Sequence, residues 1–346
     1  VRPPRLGGVT TPIVGWTAGW TEELTRARLH VVTGKGGTGK TTVAAALAIA
    51  LATGGRRVLL VEVEERQGIA QLFDRAPLPY SEERIASAPG GGEIRALAVD
   101  ADAAFMEYLA MFYNLGFAGR TLRRMGAIEF VTTLAPGLRD VLQTGKVKEC
   151  VGRTDDAGRH MYDHVVLDAP PTGRVVKFLD VTKAVQDVAK VGPIKGQSEG
   201  VVRLMHSGDT AVHLVTLLEE MPVRETLDAV AELDGADLRP GAVFVNRVRP
   251  ARLANRSLPA AAGGRVDAAR VRTGLATVGL ELAEDELAGL VEETVDHAVR
   301  VRAEQRAREL LAEADLPALE LPELVDGVDV GALYELAETL VDQGVR

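Results

Sequence analysis

The chain has 346 residues, forty-nine acidic and forty basic side chains for a formal charge of −9, 46% hydrophobic and 26% charged residues, and one cysteine. This is the composition of a globular protein that buries its own core, which excludes a disordered chain, and the acidic balance lacks the basic footprint of a general nucleic-acid binder. Cys150 alone excludes an intrachain disulfide and any one-chain Cys-x-x-Cys zinc or redox motif, while the longest apolar run, Val43 to Ala52, is too short to span a bilayer.

Residues 1–28 hold Gly, Pro, Thr and the tryptophans Trp16 and Trp20 without a helical or strand period, and read as an N-terminal arm pinned by one Trp. The start Val1-Arg2-Pro3-Pro4 lacks the charged-then-apolar pattern of a signal peptide. With the single cysteine this gives a soluble cytoplasmic protein as the expectation, with no integral membrane segment. Leu29 to Thr33 predicts a short buried strand, followed by a glycine loop and a helix over 41–52 that stops at Gly54-Gly55. Val58–Val63 and Ile94–Val99 predict further buried strands. Apolar strands alternating with helices indicate a parallel sheet covered on both faces. Residues 102–150 interrupt that rhythm with two or three consecutive helices. It then resumes with strands over 162–167, 211–217, 242–245 and 319–321, and helices over 173–190, 223–233, 282–314 and 331–341. Residues 249–264 read as an exposed loop. The predicted class is therefore α/β, a doubly wound and mostly parallel sheet over residues 29–346, with a helical insertion at about 102–150. Charge is uneven: residues 1–60 carry eight basic and two acidic side chains, residues 281–346 five basic and eighteen acidic ones.

The segment Gly34-Lys35-Gly36-Gly37-Thr38-Gly39-Lys40-Thr41 fits G-x-x-x-x-G-K-[ST] between a predicted strand and a predicted helix, the context that a phosphate-binding loop requires. Glycines let backbone N–H groups converge on phosphate oxygens, and the helix N-terminus adds its dipole. Lys40 can reach the β- and γ-phosphates, the Thr41 hydroxyl can ligate Mg²⁺, and Thr42 is placed to bond the α-phosphate. The same letters satisfy a dinucleotide fingerprint, Gly34-x-Gly36-x-x-Gly39, with Glu62 at the end of the next strand. The pair Lys40-Thr41 favours ATP with Mg²⁺ over a dinucleotide, since a dinucleotide site needs neither.

Lys35, directly after the first glycine, is superfluous in an ordinary phosphate loop. With it the segment resembles the deviant Walker A loop of the SIMIBI class of NTPases. Asp168-Ala169-Pro170-Pro171-Thr172-Gly173-Arg174, after the strand 162–167, resembles the switch II motif D-T-A-P-T-G-H of the ArsA-like ATPases within that class, with Arg174 in place of the histidine. The resemblance covers about residues 29–346 and implies a P-loop ATPase fold. It implies that Lys35 crosses a dimer interface to the partner's nucleotide, in the manner of an arginine finger. Asp168 then holds a Mg²⁺-bound water. Aligned on Phe73, Glu64 stands where the family has the switch I aspartate that positions the attacking water. The extra methylene can displace the carboxylate by about 1 Å, which is costly when geometry does the catalysis. Asn246 after the strand 242–245 resembles the residue that reads the adenine edge, and Leu321-Pro322-Glu323 the element that closes over the base.

Two departures bear on function. The family's arsenite-binding cysteines are absent, and so is the zinc-binding Cys-x-x-Cys of the tail-anchored-targeting branch, so no zinc is expected. One glycine loop calls for a second subunit, identical or paralogous. Phe105, Tyr108, Phe112, Tyr113, Phe117 and Phe130, with Met106, Met111 and Met125 among them, lie where those relatives build an apolar groove for a protein client; helix-to-sheet core or a dimer contact is the alternative. Three readings follow: a dimeric ATPase that works on a protein or membrane-associated partner, a nucleotide-binding scaffold with little hydrolysis, or a dinucleotide-dependent oxidoreductase.

Overall fold

The computed structural model describes residues 19–64, 66–113, 137–181, 193–250, 252–324 and 327–346. Among these, one sheet is built from β1 (Leu29–Gly34), β2 (Arg57–Glu62), β3 (Glu83–Ala88), β4 (Gly92–Ala98), β5 (His164–Asp168), β6 (Thr210–Thr216), β7 (Pro240–Val248) and β8 (Ala318–Pro322). The eight strands pair in the order β3-β4-β2-β5-β1-β6-β7-β8. Every pair is parallel except β3 on β4. The helices are α1 (Glu22–Arg26), α2 (Lys40–Ala52), α3 (Gly68–Leu72), α4 (Ala101–Tyr113), α5 (Leu138–Gly152), α6 (Thr172–Leu179), α7 (Pro193–Met205), α8 (Glu220–Gly235), α9 (Leu258–Ala262), α10 (Ala268–Thr277), α11 (Glu284–Leu311) and α12 (Val330–Asp342).

Strands β1, β5 and β6 are buried along their whole length, which is why their sequences do not alternate apolar with solvent-facing polar residues; their polar members, His30, His164 and His213 among them, are buried too. Successive residues still face opposite ways. Val31, Leu59, Val165 and Leu214 join one core with Val141, Val147 and Phe178. Val32, Leu60, Val166 and Val215 join the other with Leu47, Ile49, Leu336 and Leu340. Each large side chain so buried contributes roughly 1.5–3 kcal/mol. Helix α2 is buried on every side from Val43 to Ala52, held between the sheet and α12; that enclosure is what its all-round apolar composition serves. No helix of the described residues is long and apolar enough to cross a membrane.

The structure adds elements that periodicity did not predict. Residues 19–28 are packed rather than loose: Thr21 caps α1 by accepting the Leu24 N–H, Leu24 and Ala27 are buried, and Trp20 stacks on His213 at 5.3 Å. Edge strand β3 carries exposed charges that mask its period. Within the predicted loop 249–264, α9 buries Leu258 and Ala261 against Ala298 and Val301 of α11. Helices α4 and α5 flank residues 114–136, which lie outside the described residues together with Phe117, Met125 and Phe130. The side chains of Tyr108, Met111, Phe112 and Tyr113 lie outside them too. Phe105 is buried in the sheet core with Met106 packed against it.

Candidate functional site

Strand order brings the two glycine- and proline-bearing segments together. β5 lies directly beside β1, with Val32 level with Asp168, so the loop after β1 and the turn after β5 emerge side by side at the carboxyl end of the sheet, where open α/β sheets bind ligands. Thr33 Oγ1 donates to the Pro170 carbonyl at 2.7 Å, and the Ala169 N–H to the Val32 carbonyl at 3.0 Å.

The loop is shaped by what surrounds it. Gly34 passes so close to β6 that a Cβ would stand 2.3 Å from the Val215 carbonyl oxygen. Gly36 and Gly37 have open space where a Cβ would be, and Gly39, the residue before α2, has φ +91°, a conformation open to glycine at little cost. Thr38 is buried; its hydroxyl donates to the Lys35 carbonyl at 2.9 Å, and Asn246 Nδ2 donates to the Thr38 carbonyl at 2.8 Å. Asn246 Oδ1 accepts the Arg247 N–H at 3.0 Å. The residue expected at the adenine edge thus braces the loop from β7. Pro322 is exposed at the end of β8, level with Val248 at the end of β7.

Lys40, Thr41 and Thr42 form the first turn of α2. Thr41 Oγ1 donates to Asp168 Oδ2 at 2.7 Å, while the buried Asp168 Oδ1 has no partner. Burial, then the neighbouring carboxylates Glu62 and Glu64, push Asp168 up to about 7, against the Thr41 hydrogen bond and the Lys40 ammonium. Burial likewise lowers Lys40 from its ordinary range, against Asp168 and Glu64. Glu64 is mostly buried, 3.8 Å from Arg66. Lys35 pairs with Glu225 of α8 within the same chain. Arg174, at the start of α6, sits 3.4 Å from Asp140 of α5; burial raises the Asp140 carboxyl, Arg174 and Arg139 opposing it.

Three residues near this site went unread or were read differently. Glu62 ends β2 level with Asp168 and accepts the N–H groups of Gly68 at 3.1 Å and Ile69 at 3.3 Å, anchoring α3. Because β5 separates β2 from β1, Glu62 does not flank the glycine loop as the dinucleotide fingerprint requires. Glu225 gave no signal among the surface acids of α8. Gln143 was legible only as a polar residue on the buried stripe of α5.

The profile of the anion-transporting ATPase family matches residues 27–208. The chain is 59% identical over 337 residues to the ATPase BagA of Mycobacterium tuberculosis, an alignment that covers 97% of this chain and 99% of that one. It is 28% identical over 248 residues to an arsenical pump-driving ATPase of Escherichia coli, covering 66% of this chain and 41% of that protein. To the ATPase GET3 of Lachancea thermotolerans it is 24% identical over 211 residues, covering 58% of this chain and 59% of that one. With a phosphate-type glycine loop joined to an aspartate through Thr41, and with these similarities over most of its length, the chain belongs to the anion-transporting ATPase family and is an ATPase.

Proposed function

We propose that this ATPase closes on a second subunit, identical or paralogous, around ATP, and that the closure performs work on a protein or membrane-associated partner. The joint between Thr41 and Asp168 is the observation that supports the Mg²⁺-ATP part of this reading; the second subunit and the partner rest on the likeness to the family. A hydroxyl on the first turn after the loop and a buried carboxylate with one unpartnered oxygen form an all-oxygen donor set. Such a set suits Mg²⁺, which prefers oxygen ligands and retains several waters. A cation there would also relieve the destabilised Asp168 charge. Magnesium, when bound, would neutralise charge shared by the β- and γ-phosphates.

The chain's own residues supply the rest. Backbone N–H groups of residues 36–39 and the N-terminus of α2 cradle phosphate oxygens. Lys40 reaches the β- and γ-phosphates and Thr42 the α-phosphate. Asp168 would hold a water of the bound Mg²⁺, and Glu64 would orient the attacking water. Lys35 leaves Glu225 and crosses to the partner's nucleotide, so that charge stabilisation is complete only in the closed dimer. Asn246 keeps a second amide hydrogen and a second Oδ1 lone pair for the adenine edge, with Pro322 beside it. An arsenical role is not part of the proposal: Cys150 is buried in α5 and burial pushes its thiol up to about 12, far from the thiolate that soft metals need.

Phosphate release from Mg²⁺-ATP, with Lys40→Ala as control, tests the reading. Release that vanishes in the variant supports it. Equal release by both, in the presence of the native partner, would leave a nucleotide-binding scaffold.

A further inference from the structure

Gln143 lies on α5, outside the loop and outside both proline- and glycine-bearing turns, and is 2% exposed. Its Nε2 donates to the Val63 carbonyl at 2.8 Å and to the Val99 carbonyl at 3.3 Å. These carbonyls belong to the residues that follow β2 and β4. The β2–β4 ladder runs to Glu62 level with Ala98, and its last bond is Val99 N–H to the Glu62 carbonyl at 2.8 Å. Beyond that point Val63 and Val99 remain buried, and buried carbonyls without a partner are costly. A primary amide is the neutral group that puts two hydrogens on one atom, so a single side chain caps both strand ends.

We propose that Gln143 is a positioning residue for ATP hydrolysis, acting through Glu64; the inference rests on the reading of Glu64 as the group that orients water. The Val63 carbonyl and the Glu64 nitrogen share one rigid peptide plane, so the amide that holds the carbonyl sets the origin of the Glu64 side chain. Downstream, the Glu62 carboxylate holds the N–H groups of Gly68 and Ile69. The segment carrying Glu64 is thus anchored by a buried amide on one side and a buried carboxylate on the other. Glu64 bears an extra methylene relative to aspartate, which makes the fixing of its backbone weigh more. The anchor comes from a helix with other attachments. Asp140, one turn before Gln143, contacts Arg174 of α6. Lys146, one turn after, reaches Glu107 of α4 at 2.8 Å. A displacement of α5 relative to the sheet is therefore felt at Glu64 through Gln143.

The test compares the full chain with Gln143→Leu, Gln143→Glu, Glu64→Gln and the double variant Gln143→Leu/Glu64→Gln. Single-turnover hydrolysis of Mg²⁺-ATP is followed with protein in excess, and ATP affinity is measured separately. Gln143→Leu is expected to slow hydrolysis about 10- to 100-fold while ATP affinity changes by no more than about two-fold, because a displacement near 1 Å costs rate rather than binding. Combined with Glu64→Gln it should cost nothing further, as expected for two residues on one path. In Gln143→Glu the rate relative to wild type should rise as pH falls, since the protonated carboxyl donates where the amide did. Wild-type hydrolysis in Gln143→Leu with an inactive Glu64→Gln overturns the role of Gln143 and leaves that of Glu64. Wild-type hydrolysis in Glu64→Gln overturns both. Losses that multiply in the double variant, or affinity that falls with the rate, make Gln143 a packing residue only. If Gln143→Leu does not fold, a pH-independent ratio for Gln143→Glu overturns the proposal.

Discussion

Glu225→Ala should tighten the ATP-dependent dimer. In the single chain, Lys35 is bound to Glu225, and the two side chains are 36% and 34% exposed. An ion pair this open to solvent is worth about 0.2–1 kcal/mol. If Lys35 must leave it to reach the partner's nucleotide, each subunit gives up that amount on closing, and a symmetric dimer gives it up twice. Removing Glu225 therefore strengthens closure by about 0.4–2 kcal/mol, roughly two- to thirty-fold in dissociation constant. Sedimentation equilibrium with Mg²⁺ and a non-hydrolysable ATP analogue reads this directly. The gain should shrink as ionic strength rises, because a pair this exposed is screened. Lys35→Ala is the companion variant: it should retain nucleotide affinity and lose dimerisation. A dimer weakened by Glu225→Ala would mean that Glu225 helps place Lys35 rather than restraining it. Unchanged dimerisation of Lys35→Ala would remove the crossing lysine from the mechanism altogether.

Two further predictions concern the scaffold. Gly34→Ala puts a Cβ 2.3 Å from the Val215 carbonyl oxygen; because backbone must move, a loss of about 1–3 kcal/mol in denaturant unfolding is expected, together with lost ATP binding, and wild-type values for both would refute the close approach. In the middle of β6, His213 Nδ1 accepts the Ala242 N–H at 3.0 Å, and its Nε2 is 3.0 Å from His30 Nδ1. His213 therefore carries its proton on Nε2 and His30 accepts it. Burial, then Arg239, holds His213 at about 3. A histidine depressed in the folded state stabilises the fold above the unfolded value near 6.5 and loses that contribution as pH falls below it. By pH 5 the loss from His213 alone is about 2 kcal/mol. Asp168, raised to about 7, titrates with opposite sign over the same window. The quantity to measure is thus the stability difference between wild type and His213→Gln, which should fall by about 2 kcal/mol between pH 7.5 and pH 5; a constant difference would refute the assignment.

Much of this site could be read from residues that act through local backbone. The glycine loop, Lys40 and Thr41 sit within one strand–turn–helix unit, and Asp168 ends a strand whose burial its apolar letters announce. What could not be read depends on contacts between distant segments. Asn246 stood out in the sequence as a candidate reader of the adenine edge after the strand 242–245, but its bond to Thr38 spans 208 positions and requires knowing that β7 lies on the β6 side of the loop. Lys35 stood out by its place after Gly34; its partner Glu225 is one of several acids on a solvated helix, and no period distinguishes it. The packed segment 19–28 escaped notice because Leu24 and Ala27 are its buried apolar positions on either side of Arg26, too few to show a repeat.

Glu62 shows how topology, rather than residue type, decides chemistry. An acid at the end of the second strand suits a ribose hydroxyl when that strand neighbours the first. Here β5 lies between them, and the same carboxylate instead meets the free N–H groups at the start of α3, a natural anion site. The intervening strand also delivers Asp168 to Thr41 and sets Glu62 beside Asp168, where its charge helps keep that carboxyl hard to ionise without a cation. One change of strand order therefore withdraws a dinucleotide contact, supplies a metal-suited oxygen pair and anchors the segment that bears Glu64. The fold selects triphosphate chemistry from glycine-loop letters that local sequence leaves open to two uses.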